Sequence, residues 1–470
     1  MSELISHAVW SGEELWRGPI ADHAAVQSVM ARAAASAREW RGTALDHRIE
    51  CLQRYQQLVA DEHEALAELI ARETGKALWE ARGEAGAVAA KVSVTIDAWF
   101  ERADEQRLED GSGLVRHRAL GTCVVIGPFN FPAHLPNGQI VPALLAGNTV
   151  VFKPSEHSPA VGAWLVERLH RAGIPSGVIQ LVHGGREPAE SLIDHPDTAA
   201  VFFTGSHAVG CAIHRRLAGR PEVLLALEMG GNNPLVVWDA EDLEAVVRTV
   251  VNSAFITAGQ RCTCARRLIV PDSSFGRAVI DGVVAAVPRL RFGDPLAEDQ
   301  PFAGPLINLG AAEAARARII ELDQRAHSLV AGEGSQDHPA LVRPAVFDVS
   351  DVDCGDGECF APVLQVVRVA DFNDAIARAN HTSYGLAAAL VTADEQLWQR
   401  FTREIRAGVI NRNRATTGAS GRLPFGGLGA SGNHRAAGFH AIDFCADPVA
   451  VMSSDVLACP PLPTGMEDPS

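Results

Sequence analysis

The stretch 256–270, ITAGQRCTCARRLIV, sets Cys262 and Cys264 two positions apart among Arg261, Arg266 and Arg267. Two neighbouring thiols allow four chemistries: a metal site, a redox pair, two buried fillers, or a nucleophile beside a bystander. The spacing is not CxxC, and no second Cys/His pair lies at zinc spacing, so no metal site is expected. A loop thiol flanked by cations or backbone N–H dipoles can ionise to a nucleophilic thiolate. A thiol buried in apolar surroundings acts as a small hydrophobe.

Other residues have chemistry to offer. Glu228 closes the apolar run VLLALE and precedes Gly230 and Gly231. Desolvation there would raise its pKa and make it a better base, although a structural pairing would also explain it. Asn130 stands in GPFNFPAHLPNG, where its amide suits either an oxyanion or a proline-rich turn. Lys153 ends the run NTVVFK, with Glu156 three residues on; the two suit ribose hydroxyls, or a strand-end lysine with a helix-capping glutamate. Gly205, Ser206 and Gly210 in FFTGSHAVG mark a strand–turn–helix, a place for a pyrophosphate, though the motif is not GxGxxG. Lys153 is also one of only three lysines, with Lys76 and Lys91, in an arginine-rich chain.

These residues need elements to hold them. Residues 1–107 read as mainly helical, with apolar positions at helical spacing from Cys51 to Arg72 and a stop at Gly75. From Thr122 the runs TCVVIG, NTVVFK, VIQLV, AAVFF and VLLALE read as buried strands, separated by helices near 137–146, 160–172 and 208–217. Buried strands alternating with helices imply a doubly wound parallel sheet, with a nucleotide crevice at the strands' carboxyl ends. A second α/β section after Glu228 has helices near 243–257 and 275–287 and strands at RRLIV, 364–369, 387–391 and 408–410. The segment LVRHRAL and the stretch FHAIDFCADPVAVMS are expected to form β structure outside both sections, and the last residues a loose tail.

The composition limits the partners. With a formal net charge of −16, neither nucleic acid nor an anionic membrane is an expected partner. No apolar run is long enough to span a bilayer, the N-terminus lacks the pattern of a secretory signal, and the nine scattered cysteines fit a reducing, cytoplasmic setting.

Taken together, PFNFP, VVFKPSE, FTGS-x3-G, LEMGGNNP, GQRCTCARR, GECFAPVLQ and PFGGLGASG resemble the aldehyde dehydrogenase superfamily over nearly the whole chain. The resemblance implies an α/β fold. A Rossmann-type NAD-binding domain would comprise 1–112 and 122–228, and an α/β catalytic domain 229–436. A small β oligomerisation element would use 113–121 and 437–458, leaving 459–470 as the tail. It makes Cys262 rather than Cys264 the nucleophile, Glu228 the base and Asn130 an oxyanion donor. Lys153 and Glu156 would take the adenosine ribose, Gly205, Ser206 and Gly210 the pyrophosphate, and Glu358 and Phe360 the nicotinamide end. The cofactor implied is NAD, because a 2′-phosphate would add negative charge beside Glu156.

Within the superfamily, NFPAHLPNGQIVPALLAGNTVVFKPSE, ALEMGGNNPL and GASGNHR are similar to the N-succinylglutamate 5-semialdehyde dehydrogenases of arginine catabolism. A dicarboxylated aldehyde needs cations, and the candidates are Arg412, Arg414, Arg422, His434 and Arg435. Another carboxylated semialdehyde such as succinate semialdehyde, or a non-catalytic binding protein with this fold, are the alternatives. The family implies a homodimer or homotetramer. Two positions depart from its pattern: Ala361 follows Phe360 where glycine is usual, and Arg412 replaces an aromatic residue.

Overall fold

The computed structural model describes residues 2–332, 337–457 and 461–467. Its first sheet has five parallel strands. Their spatial order is Ile179–Leu181, Thr149–Lys153, Thr122–Ile126, Thr198–Gly205 and Leu224–Met229. The chain starts in the middle, winds outward to Ile179–Leu181, then crosses back to the other side of Thr122–Ile126. The resulting switch point lies between Thr122–Ile126 and Thr198–Gly205, where such sheets place a ligand at their carboxyl ends. Strands Thr122–Ile126 and Thr149–Lys153 are buried at every position, as strands covered on both faces must be.

The second sheet has seven strands in the order His327–Val330, Ala345–Asp348, Val363–Val369, Ala265–Pro271, Asn233–Val237, Ala387–Val391 and Val409–Arg412. All pairings are parallel except the first. The carboxyl edge of the first sheet and the amino edge of the second face one another, because Glu228 ends a strand of one and Cys262 precedes a strand of the other.

Most expected elements form, with boundaries moved by a few residues. The helical pattern from Cys51 to Arg72 is two helices, Leu45–Asp61 and His63–Thr74, meeting at Glu62. The second ends at Gly75, whose φ is 75°. The N-terminal segment is a hairpin of Glu3–His7 and Glu14–Pro19 before the first helix, His23–Gly42. The helices Leu309–Arg325, Phe372–Asn380 and Glu395–Glu404 add to the expected elements; their apolar faces are narrow and built largely from alanine and single large residues.

The C-terminal segment requires a correction. Strand Ala446–Met452 does pair antiparallel with Gly113–Ala119, but FHAIDF is not β structure. Residues Phe439–Phe444 form a 3-10 helix packed into the core of the five-stranded sheet, with Phe444 against Phe202 at 5.1 Å. Aromatic burial outweighed the local pattern. Residue 458 of the expected β element, and 459, 460 and 468–470 of the expected tail, lie outside the described residues, as does Met1; 461–467 form no helix or strand.

All three lysines are buried. Lys76 pairs with Glu84 and sits over the Phe131 ring. Lys91 Nζ donates to Gly438 O at 2.6 Å, and Lys153 Nζ to Pro154 O and Gly184 O at 2.9 and 2.7 Å. Glu84 also accepts the N–H groups of Ala133 and His134, at 3.0 and 3.1 Å, so it caps the helix that follows Asn130. No helix among the described residues is long and apolar enough to cross a membrane.

Because Phe444 belongs to the first core, Phe444→Ala should lower stability by about 3–5 kcal/mol. Urea unfolding followed by tryptophan fluorescence reads this; a peripheral segment would show almost no change.

Candidate active site

The nucleophile loop begins in an unfavourable backbone. Thr257, Ala258 and Gly259 are all left-handed, with φ of 54°, 51° and 75°. Only glycine enters that region freely, and each other residue there costs about 1–3 kcal/mol. Gly259 is needed for a second reason: a Cβ would run into Ala361 O.

A buried carboxylate holds this turn. Glu80, on helix Leu78–Arg102, is 5 % exposed. It accepts Thr257 N–H at 3.1 Å, Thr257 Oγ1 at 2.6 Å and Arg261 Nη2 at 2.7 Å. Arg261 Nε reaches back to Thr257 Oγ1 at 2.8 Å, and its guanidinium covers Phe131. Arg261 is therefore committed to Glu80, rather than free to meet an anionic substrate.

Beyond the turn, Cys262 is half-buried and opens onto the main cleft, while Cys264 is fully buried with its thiol toward Ile256 O. The two thiols thus differ in access. Asn233, at the amino end of its strand, donates to Cys262 O at 2.7 Å and Cys264 O at 2.8 Å. Burial pushes the Cys262 thiol up to about 12, and Glu228, Glu358 and Cys264 raise it further, against a lowering by Arg266.

Glu228 reaches the same cleft from the other sheet. Its Oε1 is buried with no hydrogen-bond partner among the described residues, and burial lifts its pKa well above the usual carboxylate range, opposed by the Ala437 N–H. Asn130 is 7 % exposed and its Nδ2 donates to Gln260 O at 3.1 Å, which places the amide on the nucleophile loop. Gln260 Oε1 in turn accepts Ile307 N–H at 3.0 Å.

The cleft has a volume of about 1460 Å³ and runs from Cys262 past Glu358 and Phe360 to Gly205, Ser206, Lys153 and Glu156. It exceeds the several hundred Å³ usual for a small ligand. Ser206 caps helix His207–Leu217, accepting Val209 N–H, so the positive helix end faces the cleft. Gly210 is buried one turn inside, against Met229, and does not line the cleft. Lys153 Nζ lies 3.7 Å from the exposed Glu156. Glu358 Oε1 accepts Gly231 N–H at 3.2 Å, and its carboxylate fills the space where Gly230 would carry a Cβ. Phe360 meets Phe129 edge-on at 6.0 Å. Ala361 has no positive φ, so the alanine at this position costs no strain.

The five expected substrate cations separate, and none lines this cleft. Arg412 pairs with Glu395 over the ring of Trp398, and Arg422 with Asp97 at 2.9 Å. Both guanidinium groups thus face an acidic neighbour. Arg414, His434 and Arg435 are exposed and make no ion pair or hydrogen bond among the described residues. Arg435 adjoins Ala436, which abuts Gly426, whose Cβ position is 3.2 Å from Glu228 Oε1.

Sequence reasoning missed Glu80, Asn233 and Asp356. Asp356 accepts Asn232 Nδ2 at 2.9 Å and the N–H of Ser383 at 2.6 Å, fastening the loop that carries Glu358. Their partners are distant in sequence, so nothing in the neighbouring residues marks them.

The aldehyde dehydrogenase family model matches residues 2–451. The chain belongs to the aldehyde dehydrogenase family. This aldehyde dehydrogenase is 49% identical over 458 residues to N-succinylglutamate 5-semialdehyde dehydrogenase 2 of Caulobacter vibrioides, covering 95% of this chain and 92% of the relative. It is 47% identical to the N-succinylglutamate 5-semialdehyde dehydrogenase of Burkholderia mallei, covering 96% and 93%. Among solved structures, it superposes with a TM-score of 0.90 on a putative methylmalonate-semialdehyde dehydrogenase from Sinorhizobium meliloti complexed with NAD, at 25% identity over 96% of this chain and 94% of that one. Aldehyde dehydrogenase 21 from Physcomitrella patens, in complex with succinate, also gives 0.90, at 25% identity over 97% and 95%.

Two outcomes follow for the loop. Glu80→Ala should release the left-handed turn and lower kcat for aldehyde oxidation by about tenfold to a hundredfold, with KM within about threefold. For the thiol, only the ionised form is alkylated. Since the pKa of Cys262 is raised, its rate of reaction with iodoacetamide should climb about tenfold per pH unit from pH 6 to 9 without a plateau, followed by peptide mass spectrometry.

Proposed function

We propose that this aldehyde dehydrogenase oxidises N-succinyl-L-glutamate 5-semialdehyde to N-succinyl-L-glutamate, with NAD as hydride acceptor. The observation that carries the reading is the convergence of Cys262 and Glu228, from two different sheets, on one cleft. Near-full-length similarity to relatives of that name supports the substrate.

The long cleft fits a dinucleotide. A helix N-terminus capped by Ser206 suits a pyrophosphate, and Lys153 with Glu156 suits ribose hydroxyls. Gly205 gives the pyrophosphate close access, and Gly210 supports it by packing the helix down. Glu358 and Phe360, which line the cleft with Cys262, would hold the nicotinamide end. NAD bound there would supply the acceptor for the hydride that leaves the aldehyde carbon. The exposed Glu156 disfavours a 2′-phosphate by like charge.

The protein residues perform the remaining work. The Cys262 thiolate adds to the aldehyde carbon, and the carbonyl oxygen becomes an oxyanion. Asn130 Nδ2 and the Cys262 N–H donate to it. Loss of hydride leaves a thioester on Sγ. Glu228 then takes a proton from water; the hydroxyl oxygen adds to the thioester carbon, and sulfur leaves as thiolate with release of the acid. A buried base with a raised pKa suits that proton transfer. Arg414, His434 and Arg435 lie outside the cleft lining and are proposed to meet the two carboxylates of the aldehyde where these emerge from it.

The five-stranded half is proposed as the cofactor domain and the seven-stranded half as the catalytic domain. The strand Ala446–Met452, at a sheet edge, is proposed as the pairing element of a homodimer or homotetramer in the cytoplasm.

NADH formation tests the reading. Cys262→Ala should abolish oxidation, whereas Cys264→Ala retains most of it; equal losses would overturn the assignment. In a substrate panel, kcat/KM should be highest for N-succinyl-L-glutamate 5-semialdehyde, and a preference for succinate semialdehyde would replace the substrate while leaving the chemistry. Arg435→Ala should raise KM by about tenfold, the effect of losing a charged contact worth about 1.4 kcal/mol, with kcat little changed.

A further inference from the structure

Arg266 is the largest fully buried side chain among the described residues, at 1 % exposure. It sits on a strand, where charge is not expected, and a bulge puts it there. Asn233 pairs with Ala265 but the next residue, Pro234, pairs with Arg267, so Arg266 is the extra residue. Bulges re-aim side chains and are frequent beside active sites.

Its guanidinium spans two loops. Nη2 donates to Arg261 O at 3.0 Å, Nη1 reaches Ala361 O at 3.4 Å, and Nε has no partner among the described residues. Glu358 Oε1 is 3.8 Å away, and the Phe360 ring lies 5.5 Å from the guanidinium carbon. Arg261 O belongs to the peptide bond whose N–H is that of Cys262. That oxygen also accepts Cys264 N–H at 3.1 Å, while Asn233 holds the carbonyl on the other side of Cys262. The Cys262 N–H itself finds no acceptor among the described residues.

We propose that Arg266 is a positioning residue for the oxyanion site: it fixes and polarises the Arg261–Cys262 peptide, so that the Cys262 N–H is aimed and strengthened as a donor to the oxyanion. A cationic donor on a carbonyl oxygen draws electron density through the peptide and makes its N–H a better donor, an effect enlarged where water is absent. The inference rests on Cys262 being the nucleophile.

The test compares two reactions of one thiol. Aldehyde oxidation forms an oxyanion, whereas alkylation by iodoacetamide displaces iodide at carbon and forms none. Both scale with the thiolate fraction, so their ratio removes any change in thiol ionisation, to which the charges of Glu228, Glu358, Cys264 and Arg266 all contribute. The kcat/KM for aldehyde oxidation and the Cys262 alkylation rate are measured at one pH on wild type, Arg266→Met and Arg266→Lys.

Loss of a direct oxyanion donor costs about a hundredfold or more, so loss of an indirect support should lower the oxidation-to-alkylation ratio by about tenfold in Arg266→Met. Arg266→Lys, which keeps the charge but loses the planar fork, should fall between. If both reactions fall in proportion, Arg266 acts only on the thiol or on folding, and the proposal is overturned. Should Arg266→Met not fold, the Lys variant decides by the same ratio. Failure of the underlying reading looks different: full Cys262 alkylation would then leave wild-type oxidation intact.

Discussion

Three consecutive left-handed residues do not stay in place unaided, and the catalytic geometry depends on what restrains them. Glu80 supplies the restraint. It is a buried carboxylate, and its donors among the described residues are Thr257 and Arg261. In a low-dielectric setting those bonds are strong, and losing one leaves an uncompensated buried charge. The turn therefore has one stable arrangement. Everything after it inherits that position: the carbonyl that Asn130 contacts, the thiol of Cys262, and the peptide that Arg266 grips.

The second organising feature is the meeting of two sheet edges. Glu228 needs an apolar strand end to become a strong base, whereas Cys262 needs a loop with access to a cleft. One sheet could not provide both environments at the required approach. Two sheets, presenting a carboxyl edge and an amino edge, do so without burying either group beyond reach. The same arrangement brings Glu358 and Phe360 beside Cys262, because their loop precedes Val363–Val369, the strand next to Ala265–Pro271.

Much of this was legible in the amino-acid sequence. Buried strands such as TVVFK announce themselves by continuous apolar character, and Glu228 is conspicuous at the end of one. The motif set around Asn130 and Cys262 pointed to the family to which the chain belongs. Less legible were the residues whose meaning comes from distant partners. Glu80 lies on a helix far along the chain from Thr257, and nothing local distinguishes it from a solvated glutamate. Arg266 is one of three arginines around the thiols with nothing to single it out, because a bulge cannot be seen from one strand alone. Phe439 and Phe444 read as strand residues until their aromatic rings found the core. The substrate cations were the hardest to read: arginine is common throughout this chain, and a neighbouring Glu395 or Asp97 is enough to occupy Arg412 or Arg422.

The burial of Lys76, Lys91 and Lys153 has a consequence for a protein that handles aldehydes. A free aldehyde condenses with any accessible primary amine to give an imine. Here every ε-amine is enclosed and hydrogen-bonded, two of them to backbone carbonyls and one to a carboxylate. The outward basic charge is carried by guanidinium groups, which are protonated at all ordinary pH values and make poor nucleophiles. The exterior thus presents no lysine side chain on which the reactive carbonyl could be trapped before it reaches the thiol.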